Sequence, residues 1–322
     1  MPRWLALALA LCGATLCGAT PAWSQGWTPT KSVRLIVPFT PGGTADLLGR
    51  LLAQHLTDAL GQTVVVDNRG GGGTIIATEV LVHSPADGHT LGMIASGYAT
   101  NVTLVKNLSY NPHTDIEPLS LLGRVSILMV VNPKVAARTP ADLVALARQS
   151  PVSYGSPGNG SGGHLAGALF QLKTGAPFVH VPYRGGAPAM NDLQSGQIPL
   201  LFNAFTSTLP FVQSGTFRAI AMTGAARMPV LADTPTLAEQ GYPGFEMYEW
   251  FGMALPAHTP PEVGRRYHAE ITAFLKRPEV AERLTAQGVE LVPQSPAAFR
   301  GYIETEIVRY RELIESAHIT PE

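Results

Sequence analysis

Two short stretches of this sequence could meet an anion with main-chain donors. Thr40-Pro41-Gly42-Gly43-Thr44 follows Val33-Arg34-Leu35-Ile36-Val37, an apolar, β-branched run that reads as a buried strand. After it, leucines recur at positions 47, 48, 51, 52, 56 and 60, the spacing of one helix face. Two glycines therefore sit where a strand turns into a helix, a place where a guest can approach the backbone closely. The helix start adds N–H groups with no intrahelical partner and the positive end of the dipole. Together these make an anion socket. Gly160-Ser161-Gly162-Gly163-His164 repeats the arrangement between the strand Val152–Gly155 and a helix over 164–173.

Other chemistries fit these residues less well. Gly158 to Gly163 spells G-x-G-x-x-G, but Val181-Pro182-Tyr183-Arg184 supplies no acid for a ribose about twenty positions on, so a dinucleotide site is disfavoured. Ser161 lacks a nucleophile elbow, since Asn159 stands at the first glycine position. The nine histidines are spread singly, without metal-ligand spacing, and no cofactor is expected. Asp46, in the first helical turn, reads as a partner of the dipole rather than a base. His164 is expected in the cleft because the glycine loop brings it there. Asn203, at the end of a strand, points to the same crevice by the switch-point rule. The run Gly70 to Gly73 is entropically costly, which suggests close ligand approach. Tyr183, Arg184, Trp250 and Phe251 read as core or hinge residues.

The elements that position these loops alternate. The first hundred residues run strand, glycine loop, helix, strand, glycine loop, helix, strand, and the third strand ends in Ser96-Gly97-Tyr98. That order predicts a mostly parallel sheet with helices on both faces. Residues 119–132 read as two strands, or as one strand crossing between domains. From Val152 the order of parts returns, which predicts two similar α/β domains facing each other. Thr236-Leu237-Ala238-Glu239 has capping-box spacing. Three helices close the chain, over 261–276, over 278–287 and from Ser295-Pro296 onward.

Bulk composition narrows the partners. The 322 residues carry a formal net charge of −1, which gives no electrostatic footprint for nucleic acid or an anionic membrane. Residues 1–24 read as a secretory leader: Arg3, then an apolar run too short to span, then a small-residue cleavage site near Ser24/Gln25. Both cysteines, Cys12 and Cys17, lie within it, so thiol chemistry is excluded from the exported chain.

These pieces, in this order, resemble the periplasmic receptors of tripartite tricarboxylate transporters, the TctC/Bug family. The matching residues are Arg34 to Phe39, Pro41-Gly42-Gly43 with Asp46, Asn68-Arg69, Pro85-Ala86-Asp87-Gly88, Gly158 to Leu165, His180 to Gly185 with Ala187-Pro188-Ala189, Thr234-Pro235-Thr236 and Trp250-Phe251-Gly252. The resemblance implies a type II periplasmic binding protein fold of two α/β lobes with the ligand in the cleft between them. The first lobe would span 25–125 and 249–322, and the second 126–248. It also implies that Thr40 to Thr44 and Gly160 to His164 hold a ligand carboxylate, with Ser96 and Asn203 lining the cleft. The chain departs from the family pattern at its second glycine loop: Thr74, Ile75 and Ala77 stand where glycine, asparagine and glycine are usual.

The reading is thus a monomeric, non-catalytic receptor in the periplasm. It would capture a small carboxylate (a di- or tricarboxylate, an aromatic acid or an amino acid) and present it to a membrane permease. A sensor read by a histidine-kinase ectodomain, or an exported α/β enzyme, are the alternatives.

Overall fold

The computed structural model describes residues 27–319; residues 1–24, read above as a leader, and the cleavage site expected near Ser24/Gln25 lie outside them. Strand β1 (Val33–Val37) is followed by helix α1 (Thr44–Leu60), β2 (Val64–Asn68), α2 (Ile75–Val82), β3 (Thr90–Ala95), α3 (Ser96–Leu104) and the long β4 (Ile116–Val131). Next come α4 (Pro140–Gln149), β5 (Val152–Ser156), α5 (Gly162–Thr174), β6 (Phe178–Pro182), α6 (Gly186–Ser195), β7 (Leu200–Ala204), α7 (Phe205–Gln213) and β8 (Arg218–Met222). The chain ends with β9 (Tyr248–Pro256), α8 (Pro261–Lys276), α9 (Pro278–Ala286), β10 (Val289–Leu291) and α10 (Pro296–Ser316).

The sheet runs β2-β1-β3-β9-β4-β7-β5-β6, with β8 and β10 also paired to β4. Its first three strands are mutually parallel, as are β5, β6 and β7. Of the strands that cross the middle, β9 is antiparallel to β3 and to β4, and β4 is antiparallel to β7, so the sheet is mixed where alternation alone predicted mostly parallel pairing. Strand β4 explains this. Its first half pairs with β9 and β10, and its second half with β7 and β8. One nearly all-buried strand thus serves two lobes. Gly123 does not break it. It sits at a register shift against β9, and an added Cβ there would lie 2.6 Å from the Glu290 carbonyl oxygen.

Helix α1 shows how local sequence sets packing. Leu48, Leu52, Leu56 and Leu60 are buried on one face, and Gly49 lets the helix close on β1, where a Cβ would meet Val37 at 2.8 Å. Gly61, at φ 69°, ends it in the left-handed region and returns its N–H to Thr57. Helices α3 and α7 were not legible as helices. Each starts at the very end of a strand, and α3 is buried nearly all round, so it has no amphipathic stripe. At Thr236 and Glu239 the reciprocal capping bonds form, at 2.7 and 3.1 Å, but they close a turn rather than open a helix. Among the described residues no helix is long and apolar enough to cross a membrane.

Candidate functional site

The glycine loops come together where the two lobes meet. A narrow cleft lies between them. Its walls are Phe39, Gly43, Thr44 and Ala45 from the β1–α1 turn, and Pro157 and Gly163 from the β5–α5 turn. Gly186 opens α6, and Asn203, Ala204 and Ser207 come from the β7–α7 junction. Glu249 and Phe251, on β9, complete the lining. Four helix N-termini therefore border one space. Among the described lining residues there is no lysine, arginine or histidine.

At the first of these termini the donors stay free. Gly43 is the N-cap of α1, in extended backbone, and no side chain caps the helix. The hydroxyls of Thr40 and Thr44 are buried without a hydrogen-bond partner. Gly42, at φ 89°, turns its N–H to Asp46 Oδ2 at 3.1 Å. Asp46 also takes a bond from Arg50 Nε at 3.0 Å, so it clamps the loop to the helix. Burial works to raise the Asp46 pKa, but the Arg50 and Gly42 hydrogen bonds outweigh it and leave the carboxyl below its ordinary value.

At the α5 terminus the donors are already used. Ser161 caps the helix by accepting from the His164 N–H at 3.3 Å, and its hydroxyl donates to the Gly158 carbonyl at 2.7 Å. The Gly160 N–H donates to His164 Nδ1 at 3.1 Å. The Gly162 N–H is shared between Glu249 Oε2 at 2.7 Å and Ser96 Oγ at 3.0 Å. Ser96, fully buried at the start of α3, gives both its N–H and its hydroxyl to Glu249 Oε1. Glu249 is thus a buried carboxyl resting on two helix N-termini, one from each lobe. Burial pushes its pKa up to about 7, against the lowering effect of the Ser96 and Gly162 bonds. No cation contributes to that balance.

Of the residues singled out from sequence, Gly43, Thr44, Gly163 and Asn203 line the cleft together. Thr40, Pro41 and Gly42 are not among its lining residues, and Ser96, Gly160, Ser161 and Gly162 are held in the bonds just described. His164 lines a second cavity instead, stacked on His180 with ring centroids 3.9 Å apart. Burial pushes His164 down to about 4; burial and the neighbouring His164 push His180 down to about 2. The Asn203 amide donates to Ser207 and Thr208, at 3.1 and 2.9 Å. Gly186 leaves it room, since a Cβ there would lie 2.6 Å from Asn203 Oδ1.

The Gly70–Gly73 loop approaches the opposite lobe's backbone. A Cβ on Gly70 would meet the Arg184 carbonyl at 2.6 Å, and one on Gly73 the Asn159 carbonyl at 2.5 Å. The Arg184 carbonyl also accepts from the Thr40 N–H at 3.4 Å, so its main chain meets the first lobe. Sequence reasoning missed Glu249 altogether. The available signal was one carboxylate inside the apolar run Met247 to Leu255.

Comparison with known proteins agrees with this architecture. The profile of the tripartite tricarboxylate transporter family receptor, TctC, matches residues 48–319. The protein BugT of Bordetella pertussis is 36% identical over 290 residues, covering 89% of each chain. An R. palustris protein solved with adipate is 37% identical with a TM-score of 0.88, covering 91% of this chain and 99% of that one. MatC of Rhodopseudomonas palustris, solved with bound malate, is 27% identical with a TM-score of 0.84, covering 89% and 99%. With a matching profile over most of its length, this chain belongs to the TctC/Bug family of periplasmic solute-binding receptors, with their two-lobed α/β fold.

Proposed function

We propose that this receptor captures a small carboxylate by closing its lobes and hands it to the membrane subunits of a tripartite tricarboxylate transporter. One observation carries the carboxylate: an uncapped helix N-terminus, with the buried and unpartnered hydroxyl of Thr44, opens into a cleft that has no cationic side chain among its described lining residues. An anion there gains main-chain donors and the α1 dipole without displacing an existing partner. The N–H groups at Gly43 to Ala45 and the start of α6 at Gly186 are the proposed contacts, with Asn203 beside them. The relatives solved with adipate and malate support the ligand class.

The pairing of β4 supports lobe boundaries near 125/126 and, through β9, near 248/249. Delivery to the periplasm would use residues 1–24 as a leader cleaved near Ser24/Gln25, and the receptor would act as a monomer without catalysis. Isothermal titration against di- and tricarboxylates, aromatic acids and amino acids tests the reading. Saturable binding of an acid is the expected result, and binding confined to uncharged or cationic compounds would refute it.

A further inference from the structure

The hydrogen bonds around Asn203 fix which end of its amide a ligand meets. The residue stands in β7 just before α7, is 1% exposed and lines the cleft. Its Nδ2 donates to the hydroxyls of Ser207 and Thr208. Both hydroxyls give their own protons to the Ala204 carbonyl, at 3.3 and 2.9 Å, so each can only accept from Asn203. The amide is thereby locked. Both Nδ2 protons are spent, and Oδ1 is the end left for the cleft. Among the described residues, the hydrogen bonds of Asn203 run through Nδ2 alone.

The surroundings of Oδ1 are rich in donors aimed elsewhere. The N-termini of α1, α6 and α7 carry no side-chain cap and can meet carboxylate oxygens, whether a ligand has one carboxylate or two. Oδ1 is an acceptor beside them, and an ionised carboxylate has no proton to give it. A carbonyl oxygen taken out of water without a donor loses its solvent bond and gains none in return. The α1 turn is close by. A Cβ on Gly42 would lie 3.7 Å from the Ala187 Cβ, and Ala187 follows Gly186, whose own Cβ would lie 2.6 Å from Oδ1. A ligand anchored on α1 therefore passes Asn203 within a few bonds of its carboxylate.

We propose that Asn203 is a specificity-determining residue whose Oδ1 selects acids carrying a hydrogen-bond donor near the carboxylate, the hydroxy and amino acids, over bare acids of the same length and charge. The inference rests on the carboxylate reading of the site and is indifferent to the number of carboxylates. One acceptor left unpaired in the bound state corresponds to about tenfold in Kd.

Charge-matched sets test this by titration calorimetry: butyrate with its 2-, 3- and 4-hydroxy derivatives, succinate with malate, and glutarate with its 2- and 3-hydroxy derivatives. In a set that binds, one hydroxy acid is expected to bind the wild-type protein about tenfold more tightly than the bare acid. Asn203→Ala should bring that ratio to about one, with circular dichroism unchanged. Should that variant not fold, Thr208→Val takes its place. It removes an acceptor that orients the amide and should lower the ratio to below about threefold. The inference is overturned if no hydroxy acid gains about threefold over its bare acid in the wild type, or if the variant leaves the ratio within about twofold of the wild-type value. If only carboxylates outside these sets bind, a tightest binder with no proton donor besides its carboxyl groups overturns it too, and one with such a donor supports it. If no carboxylate binds at all, the reading of the site itself fails.

Discussion

Replacing Gly43 by valine separates binding from folding. Gly43 sits in extended backbone, φ −93° and ψ 178°, which any residue adopts. A Cβ built there meets nothing within 4 Å, so the fold has room for the side chain. Valine is a poorer N-cap than glycine, and the cost is about 1 kcal/mol. In a chain of this size that lowers Tm by about 1.5–2 °C. The ligand's loss is larger. The branched side chain occupies the approach to the N–H groups of the first α1 turn. Two charge-assisted hydrogen bonds, at about 1.5–3 kcal/mol each, would be forfeited. Together they amount to about 3–6 kcal/mol, or a Kd weakened by roughly two to four orders of magnitude. Calorimetric titration of the wild-type ligand, with circular dichroism and thermal melting in parallel, gives both numbers. An affinity within about threefold of wild type would show that the α1 terminus is not a contact, whatever the melting temperature does.

Three further outcomes are expected. Thr74 is a β-branched residue at φ 81°, so Thr74→Gly should relieve strain and raise unfolding free energy by about 1 kcal/mol in urea titration; a loss of stability would contradict this. Glu249 has a folded-state pKa raised to about 7 from an ordinary 4.5. Its contribution to stability is therefore fully present below pH 4.5, declines as the pH rises and is lost by the time it passes 7, a swing on the order of 3 kcal/mol. His164 and His180 titrate across the same window in both proteins, so the readout is the difference between the urea midpoints of wild type and Glu249→Gln, which should shrink as the pH rises from 4.5 past 7; parallel profiles would refute it. Gly70→Ala places a Cβ 2.6 Å from the Arg184 carbonyl of the other lobe. It should hold the lobes apart, enlarging the ligand-bound radius of gyration in small-angle scattering and weakening binding about tenfold; an unchanged radius counts against closure through this contact.

What sequence conveyed here is what is local. The β1–α1 turn was legible because strand, glycines and leucine spacing all lie within thirty residues. Helices α8 and α10 were legible because their buried positions recur at helical spacing, as with Val263, Tyr267, Ile271 and Phe274. Which glycine loop keeps its donors free was not legible. That depends on Glu249, which is 153 residues from Ser96 and 87 from Gly162, so no spacing rule connects them. The placement of His164 failed to show for a related reason: its ring follows His180 and Gly160 into the second cavity. The four-glycine run reads from sequence as a place of close ligand approach; the groups that the structure brings against Gly70 and Gly73 are instead the Arg184 and Asn159 carbonyls of the other lobe.

The position of β9 has a consequence for how the chain acquires its fold. Residues 248–256 insert between β3 and β4, and Gly92 is registered against Ala254. Until they arrive, both inner edges of the first lobe's sheet stay unpaired, and Trp250 is missing from the core where it packs against Phe299 and Tyr302. Contacts of such long sequence separation form slowly, because loop-closure entropy comes due before they reward it. A nascent chain shorter than about 250 residues therefore cannot complete its first lobe. Strands β5 to β8 and the second half of β4 all precede residue 223 and pair among themselves, so the lobe that begins the chain is the last to close.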